Sequence, residues 1–80
     1  MRKSIIEKET GIELIPTHPD LTTNTCVFQE KENGQINGKS KRIAVADLFA
    51  LSEPNLDAIG NDICDSLVSQ FPELYELKEV

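Results

Sequence analysis

The sequence predicts an α+β fold in which a small antiparallel sheet of three or four strands packs on one main C-terminal helix, in the order ββββα. Short apolar runs separated by turn residues occupy the first half, and apolar residues at helical spacing follow Ser52. Leu, Ile, Val and Phe together make up 23 of the 80 residues, which is enough for one hydrophobic core. We therefore expect residues 1–80 to form a single domain.

The first two strands are predicted on either side of Gly11. An apolar pair at residues 5–6 precedes the polar segment 8–11, and an apolar run at residues 12–15 follows it. Because glycine adopts positive φ without steric cost, the two runs are expected to fold back as a hairpin. In a strand over residues 12–15, apolar side chains would lie on both faces, so the sequence leaves open which face is buried.

Two prolines predict the end of the second strand. Proline donates no hydrogen bond to a β-ladder, so Pro16 and Pro19 are expected to stop the strand and to begin a long loop over residues 16–24. After that loop the chain regains β character, with Cys26 and Phe28 on one face of the next strand.

A second hairpin is predicted over residues 23–46. Asn33-Gly34 and Asn37-Gly38 are both suited to a type I′ turn, so the register of the projecting, polar tip is left open. The returning strand is expected over residues 41–46, with Ile43 and Val45 pointing inward.

The main helix is predicted between Ser52, which can cap it, and Pro72, which ends it near Phe71. Apolar residues recur at spacings of three and four between them. Gly60 lies on the apolar side, where close approach of the helix backbone to the sheet would explain it. Residues 73–80 are expected to form a short helix or a final strand, and the sequence does not decide between the two.

The charges are divided unevenly along the chain. The net charge is −6, but residues 1–42 carry seven basic and six acidic side chains, whereas residues 43–80 carry eight acidic side chains and Lys78. Extra carboxylates favour solubility, and they also form a docking face for a basic partner. An acidic chain is a poor ligand for nucleic acid, because Lys and Arg supply the affinity for phosphate.

Few residues favour chemistry. His18 lies alone between two prolines, without the second ligand that a metal site requires, and no phosphate-binding glycine motif occurs. Cys64 lies among acids, which raise a thiol pKa and oppose nucleophilic catalysis. We therefore predict that the protein is not an enzyme and binds no cofactor or metal.

The cysteine content predicts a compartment. Cys26 and Cys64 both lie in apolar patterns, and two cysteines are too few for a disulfide framework. We expect buried, reduced thiols in a cytoplasmic protein, with a bridge between them left open. No apolar run is long enough for a membrane span or for the apolar stretch of a signal peptide, so no membrane partner is expected.

The predicted function is that of a small acidic protein-interaction module, a regulator, inhibitor or adaptor that presents an acidic helix face to a basic protein such as a nucleic-acid-binding protein. The candidate contact residues are Asp57, Asn61, Asp62, Asp65, Glu73, Glu76 and Glu79.

Two alternatives to this function remain. The first is a structural subunit that forms a homodimer through an open sheet face or an edge strand. The second is contact with nucleic acid through the basic residues Lys39, Lys41 and Arg42 of the 31–42 hairpin, although lysines also protect edge strands from unwanted pairing.

Overall fold

The structure is a computed structural model that describes residues 3–20, 22–45 and 56–79, with the backbone alone for residues 56–59. The predicted helix cap at Ser52 lies outside the described residues. The described elements are the strands Lys3–Glu7 (β1), Glu13–Asp20 (β2), Thr25–Glu32 (β3) and Gln35–Ala44 (β4), the helix Leu56–Gln70 (α1) and the strand Tyr75–Glu79 (β5).

The strands form one antiparallel sheet in the order β4-β3-β2-β1-β5. The α+β class and the antiparallel sheet are therefore confirmed, but the prediction of three or four strands ending in a helix is wrong. A fifth strand follows the helix and pairs with the other edge of β1, with Tyr75 opposite Glu7 and Leu77 opposite Ile5. This pairing brings the alternating apolar residues of the tail onto the core face of the sheet.

The first hairpin forms as predicted around Gly11. The carbonyl of Glu7 accepts hydrogen bonds from the backbone N–H groups of Thr10 (3.3 Å) and Gly11 (2.7 Å), and Gly11 has a φ of 74°. In β2, Leu14 lies on the core face, whereas Glu13 lies on the opposite face.

The predicted loop over residues 16–24 is wrong, because β2 continues through both prolines to Asp20. Beyond Leu14, β2 pairs with β3 on one side and with no strand on the other. The missing N–H groups of the two prolines therefore leave no hydrogen bond unmade on the unpaired side. The register shifts between Pro16 and His18, and the hydroxyl of the extra residue, Thr17, donates to the carbonyl of Val27 (2.8 Å).

The second hairpin turns at Asn33-Gly34, where both residues have positive φ (53° and 80°) and Glu32 faces Gln35. The competing pair Asn37-Gly38 lies within β4, at a second irregularity in the register. Ile43 and Val45 are buried as predicted.

Helix α1 packs on β1, β2 and β5 and ends at Gln70, just before the predicted stop at Pro72. Its buried side chains Ile63, Cys64 and Leu67 meet a sheet face that contributes, among others, Ile5, Leu14, Cys26, Phe28, Ile43 and Tyr75. Phe71 follows the helix and is 42% exposed, so it does not extend the buried stripe.

Gly60 brings the helix close to the sheet, as the sequence predicts. It is buried, and a Cβ atom at this position would lie 3.3 Å from Cγ of Pro16. The irregular strand β2 and the glycine of α1 thus fit together at this contact.

Candidate functional site

Residues from helix α1 and from strands β1 and β5 meet around Lys3. The backbone N–H of Lys3 donates to Oδ1 of Asn61 (2.8 Å), and its Nζ atom lies 2.9 Å from Oδ2 of Asp65. Nζ is also 3.9 Å from Oε1 of Glu79, which lies opposite Lys3 in the β1–β5 ladder. Three regions that are distant in sequence therefore share one site.

The site keeps an excess of negative charge. The hydrogen bond with Asp65 raises the pKa of Lys3, burial opposes this effect, and the charges of Asp65, Glu79 and Asp62 raise it further. Two carboxylates thus lie within 4 Å of one ammonium group, and the charge of Asp62 acts on it from a greater distance. The side chains of Asp65 and Glu79 are 46% and 51% exposed, so both remain accessible to a partner. We refer to Asp62, Asp65 and Glu79 as the acidic surface.

The structure does not bring all seven predicted contact residues together. Asn61 lies beside the acidic surface, and Asp57 is in the first turn of α1, where the side chain is not described. Glu73 lies beyond the other end of the helix, in the turn before β5. Glu76 is opposite Ile6 in the ladder, and both point to the sheet face away from the helix.

Two basic residues of the β3–β4 hairpin, Lys41 and Arg42, pair with acids from β1 and β2 and not with the acidic surface. Lys41 forms an ion pair with Glu7, and Arg42 lies 3.4 Å from Asp20. The hydrogen bond from Lys41 lowers the pKa of Glu7, although burial opposes this effect. Among residues 3–20, 22–45 and 56–79, the one basic side chain within 4 Å of Asp65 or Glu79 is that of Lys3.

A second feature, which the sequence did not predict, is an open groove at the far end of α1. It has a volume of about 410 Å³ and is lined by residues 7–9, Lys41 and residues 73–75. Leu74 is 50% exposed in the turn, whereas Tyr75 is 8% exposed. The Tyr75 ring packs edge-on against Phe71, with their centroids 6.4 Å apart.

The residues of the groove gave one signal in the sequence. Tyr75 and Leu77 alternate with acids, which is a pattern typical of a strand. Once that strand is placed beside β1, Tyr75 is opposite Glu7, and the groove forms between the β1–β2 turn and the turn before β5. The pairing of β5 with β1 could not be read from the pattern alone.

Both cysteines are buried free thiols. Burial raises the pKa of Cys26 to about 11 and that of Cys64 to about 12, the latter with smaller contributions from Cys26 and Asp65. Within the part of the chain that the structure describes, no group of three or more His, Cys, Asp or Glu side chains is arranged to hold a metal ion.

Comparison with protein-family models, with curated proteins and with solved structures found no match to this chain. In the described ranges, no helix has the length and the apolar character needed to cross a membrane.

Proposed function

We propose that this protein is a non-enzymatic interaction module that binds a basic surface of a partner protein through the acidic surface. The observation that supports the proposal is that Asp65 and Glu79 both lie within 4 Å of the ammonium group of Lys3, with the charge of Asp62 nearby on the same helix. Two of these carboxylates belong to a helix and one to an edge strand, so ordered backbone fixes their spacing. A fixed array of anions favours a partner that has cations at matching positions.

The distribution of the basic residues supports the same proposal. Lys41 and Arg42 engage Glu7 and Asp20, and Lys78 engages Glu13 on the other face of the sheet. Within the described ranges, Lys3 is therefore the basic side chain that pairs with the acidic surface, through Asp65 and Glu79. The partner class that fits best is a protein with clustered lysine or arginine, for which a nucleic-acid-binding surface is one source.

Self-association through the open sheet face has less support. Ile6 and Ile15 are half-buried on that face, which favours an apolar contact. However, the ion pair between Glu13 of β2 and Lys78 of the edge strand β5 lies on the same face. Covering this pair in a dimer would remove the remaining water from both charges, which is costly.

The test compares two double variants that have the same net charge. Asp62→Asn/Asp65→Asn removes two carboxylates of the acidic surface, and Glu32→Gln/Glu76→Gln removes two exposed carboxylates elsewhere. Binding of a short oligolysine peptide is measured by calorimetry at low salt and at about 0.15 M salt. We expect the first variant to lose about fivefold in affinity and the second less than about twofold.

Two outcomes would contradict the proposal. Equal losses in both variants would show that the peptide responds to net charge and not to the acidic surface. Binding that does not weaken between low and physiological salt would exclude an electrostatic contact. As a further check, Lys3→Gln removes the central cation and is expected to strengthen binding of the same peptide.

A further inference from the structure

Strand β5 lies at one edge of the sheet, with one side of its backbone turned away from β1. The backbone N–H of Lys8 donates to the carbonyl of Leu74, and this bond fixes the alternation of the β1–β5 ladder. Glu76 and Lys78 therefore share their backbone hydrogen bonds with β1, whereas the N–H and C=O groups of Leu77 point away from β1. Among the described strands, none lies on that side of β5, so the edge is a template for a further strand.

The same alternation turns backbone groups of Tyr75 and Glu79 outward. The N–H of Tyr75 donates to the carbonyl of Phe71 (3.1 Å). In the part of the chain that the structure describes, no hydrogen bond uses the carbonyl of Tyr75, the outward groups of Leu77 or the N–H of Glu79. These donors and acceptors fit the backbone of another extended chain.

The charges of β5 complement those of a second copy of the same strand. When two copies pair antiparallel about a twofold axis at Leu77, Glu76 of each copy lies opposite Lys78 of the other. Both side chains are exposed. On the helix side of the sheet the two Leu77 side chains are neighbours, and the overlap covers the whole strand Tyr75–Glu79. The strand is thus self-complementary in charge and in apolar contact.

This register is the one that the charges favour. Because the outward groups belong to residues 75, 77 and 79, a symmetric pairing is centred on residue 76, 77 or 78. Centring on Glu76 or on Lys78 places like charges directly opposite each other, which destabilises a ladder. Centring on Leu77 gives opposite charges on both sides of the axis. It also forms hydrogen bonds between the two Leu77 residues and from the N–H of Glu79 to the carbonyl of Tyr75.

The other edge of the sheet does not fit a second copy. The charged residues of β4 are all basic, namely Lys39, Lys41 and Arg42, so two copies of this strand repel each other. The register of β4 is also irregular around Asn37-Gly38. Lysines and irregularities of this kind protect an edge strand from pairing, and β5 has no such irregularity.

We propose that the protein forms a homodimer in which the β5 strands of two copies pair antiparallel, centred on Leu77, and join the two sheets into one. The contact uses the edge of the sheet and not its open face, where covering the ion pair between Glu13 and Lys78 would be costly. The inference does not rest on the proposed function, because the strand pairing uses no group of Asp62 or Asp65.

Sedimentation equilibrium of the full chain at about 0.15 M salt measures the dimerisation. We expect a mass of twice 8.9 kDa at high micromolar concentration. Glu76→Lys places lysines opposite each other on both sides of the axis and should weaken the dimer about tenfold or more. Glu73→Lys is the matched control. It makes the same charge change in the turn before β5 and should alter the dimerisation constant by less than about twofold.

Amide hydrogen exchange gives a second readout that needs no variant. The N–H groups of Leu77 and Glu79 should exchange at least about tenfold more slowly at high than at low protein concentration, because pairing protects them. The N–H groups of Glu76 and Lys78 are bonded to β1 in the monomer, so their exchange should depend less on concentration.

A charge exchange between the two copies tests the register itself. Lys78→Glu alone should weaken the dimer as Glu76→Lys does, and an equimolar mixture of the two variants should dimerise again, since each lysine then faces a glutamate. Lys78→Glu also places an acid beside Glu13, so the amide spectrum checks its fold. If that variant is unfolded, Glu76→Lys and the exchange rates still decide.

Three outcomes would overturn the inference. The first is a chain that stays monomeric up to high micromolar concentration. The second is a dimer that Glu76→Lys does not weaken, and the third is concentration-dependent protection of amides in β4 in place of Leu77. The oligolysine assay of the acidic surface is read separately, so either proposal fails without the other.

Discussion

Nζ of Lys78 lies 2.7 Å from Oε1 of Glu13 on the sheet face opposite the helix, although 65 positions separate the two residues. The other carboxylate oxygen of Glu13 accepts from the hydroxyl of Ser4 (2.9 Å), which is 2% exposed. Strands β2, β1 and β5 are thus joined by side chains as well as by their backbones. This network ties the C-terminal strand to the N-terminal hairpin.

The first prediction concerns Glu13→Gln. Burial raises the pKa of Glu13, but the hydrogen bonds from Lys78 and Ser4 outweigh burial, and the net pKa is below its ordinary value of 4.5. A lowered folded-state pKa means that the carboxylate stabilises the fold above about pH 4.5 and that this stability is lost as the pH falls through the folded-state pKa. We expect Glu13→Gln to lower the free energy of unfolding by about 1–2 kcal/mol at pH 7.

Urea denaturation at several pH values measures this effect. The difference in the free energy of unfolding between Glu13→Gln and the parent protein should decrease below pH 4.5, because Glu13 of the parent protein is then protonated and loses its charge. Glu9→Gln is the control, since Glu9 is exposed in the β1–β2 turn, and it should change stability by less than about 0.5 kcal/mol. A difference in the free energy of unfolding that stays constant down to pH 3 would contradict a stabilising role for the Glu13 carboxylate.

The second prediction compares two isoleucines of one strand. In β4, Ile43 is 9% exposed and belongs to the core, whereas Ile36 is 53% exposed near the hairpin tip. Ile43→Ala should lower the free energy of unfolding by about 2–4 kcal/mol because it leaves a cavity. Ile36→Ala should change it by less than about 0.5 kcal/mol. Similar losses from both variants in urea denaturation would show that the hairpin tip packs in solution.

These examples show which parts of the fold the sequence could predict. The helix, the turn at Gly11 and the inward residues Ile43 and Val45 follow from local patterns, because spacing and turn chemistry act over a few residues. The final strand could not be decided, since Tyr75 and Leu77 gain their burial from pairing with β1, some 70 residues away in sequence. Tertiary pairing decided what local propensity left open.

The prolines and the site show the same limit. Pro16 and Pro19 are unfavourable in a central strand, but only residues 13–14 of β2 have a partner on both sides. The sequence predicted an acidic helix face, yet Lys3 and the opposing placement of Glu76 and Glu79 depend on the β1–β5 ladder. Composition identifies the charges, whereas long-range pairing determines which of them lie together.

The third prediction tests the contact between α1 and β2. Alanine is favoured over glycine inside a helix by about 1 kcal/mol. At Gly60, however, the new Cβ would lie 3.3 Å from the ring of Pro16, which is a tight contact with a rigid side chain. We expect the free energy of unfolding of Gly60→Ala to remain within about 1 kcal/mol of that of the parent protein. Gly60→Val should lower it by about 2 kcal/mol or more.

Thermal and urea unfolding of both variants measure these effects. Ser69→Val is the control, because Ser69 is exposed on the same helix and experiences only the change in helix propensity. If Gly60→Val were as stable as Ser69→Val, the close approach of the helix to Pro16 would be wrong.

The fourth prediction concerns the reactivity of the two thiols. With pKa values of about 11 and 12, about one Cys26 thiol in a thousand and one Cys64 thiol in ten thousand are ionised at pH 8. An unfolded cysteine, with a pKa of about 8.5, is ionised to roughly a quarter at the same pH. Because the thiolate is the reactive form, an aromatic disulfide reagent should label the native protein at least about a hundredfold more slowly than the protein in urea. Cys26→Ser and Cys64→Ser, each measured alone, assign the two rates, and Cys64 should be the slower site. Rapid labelling of both thiols without denaturant would contradict their burial in the core between α1 and the sheet.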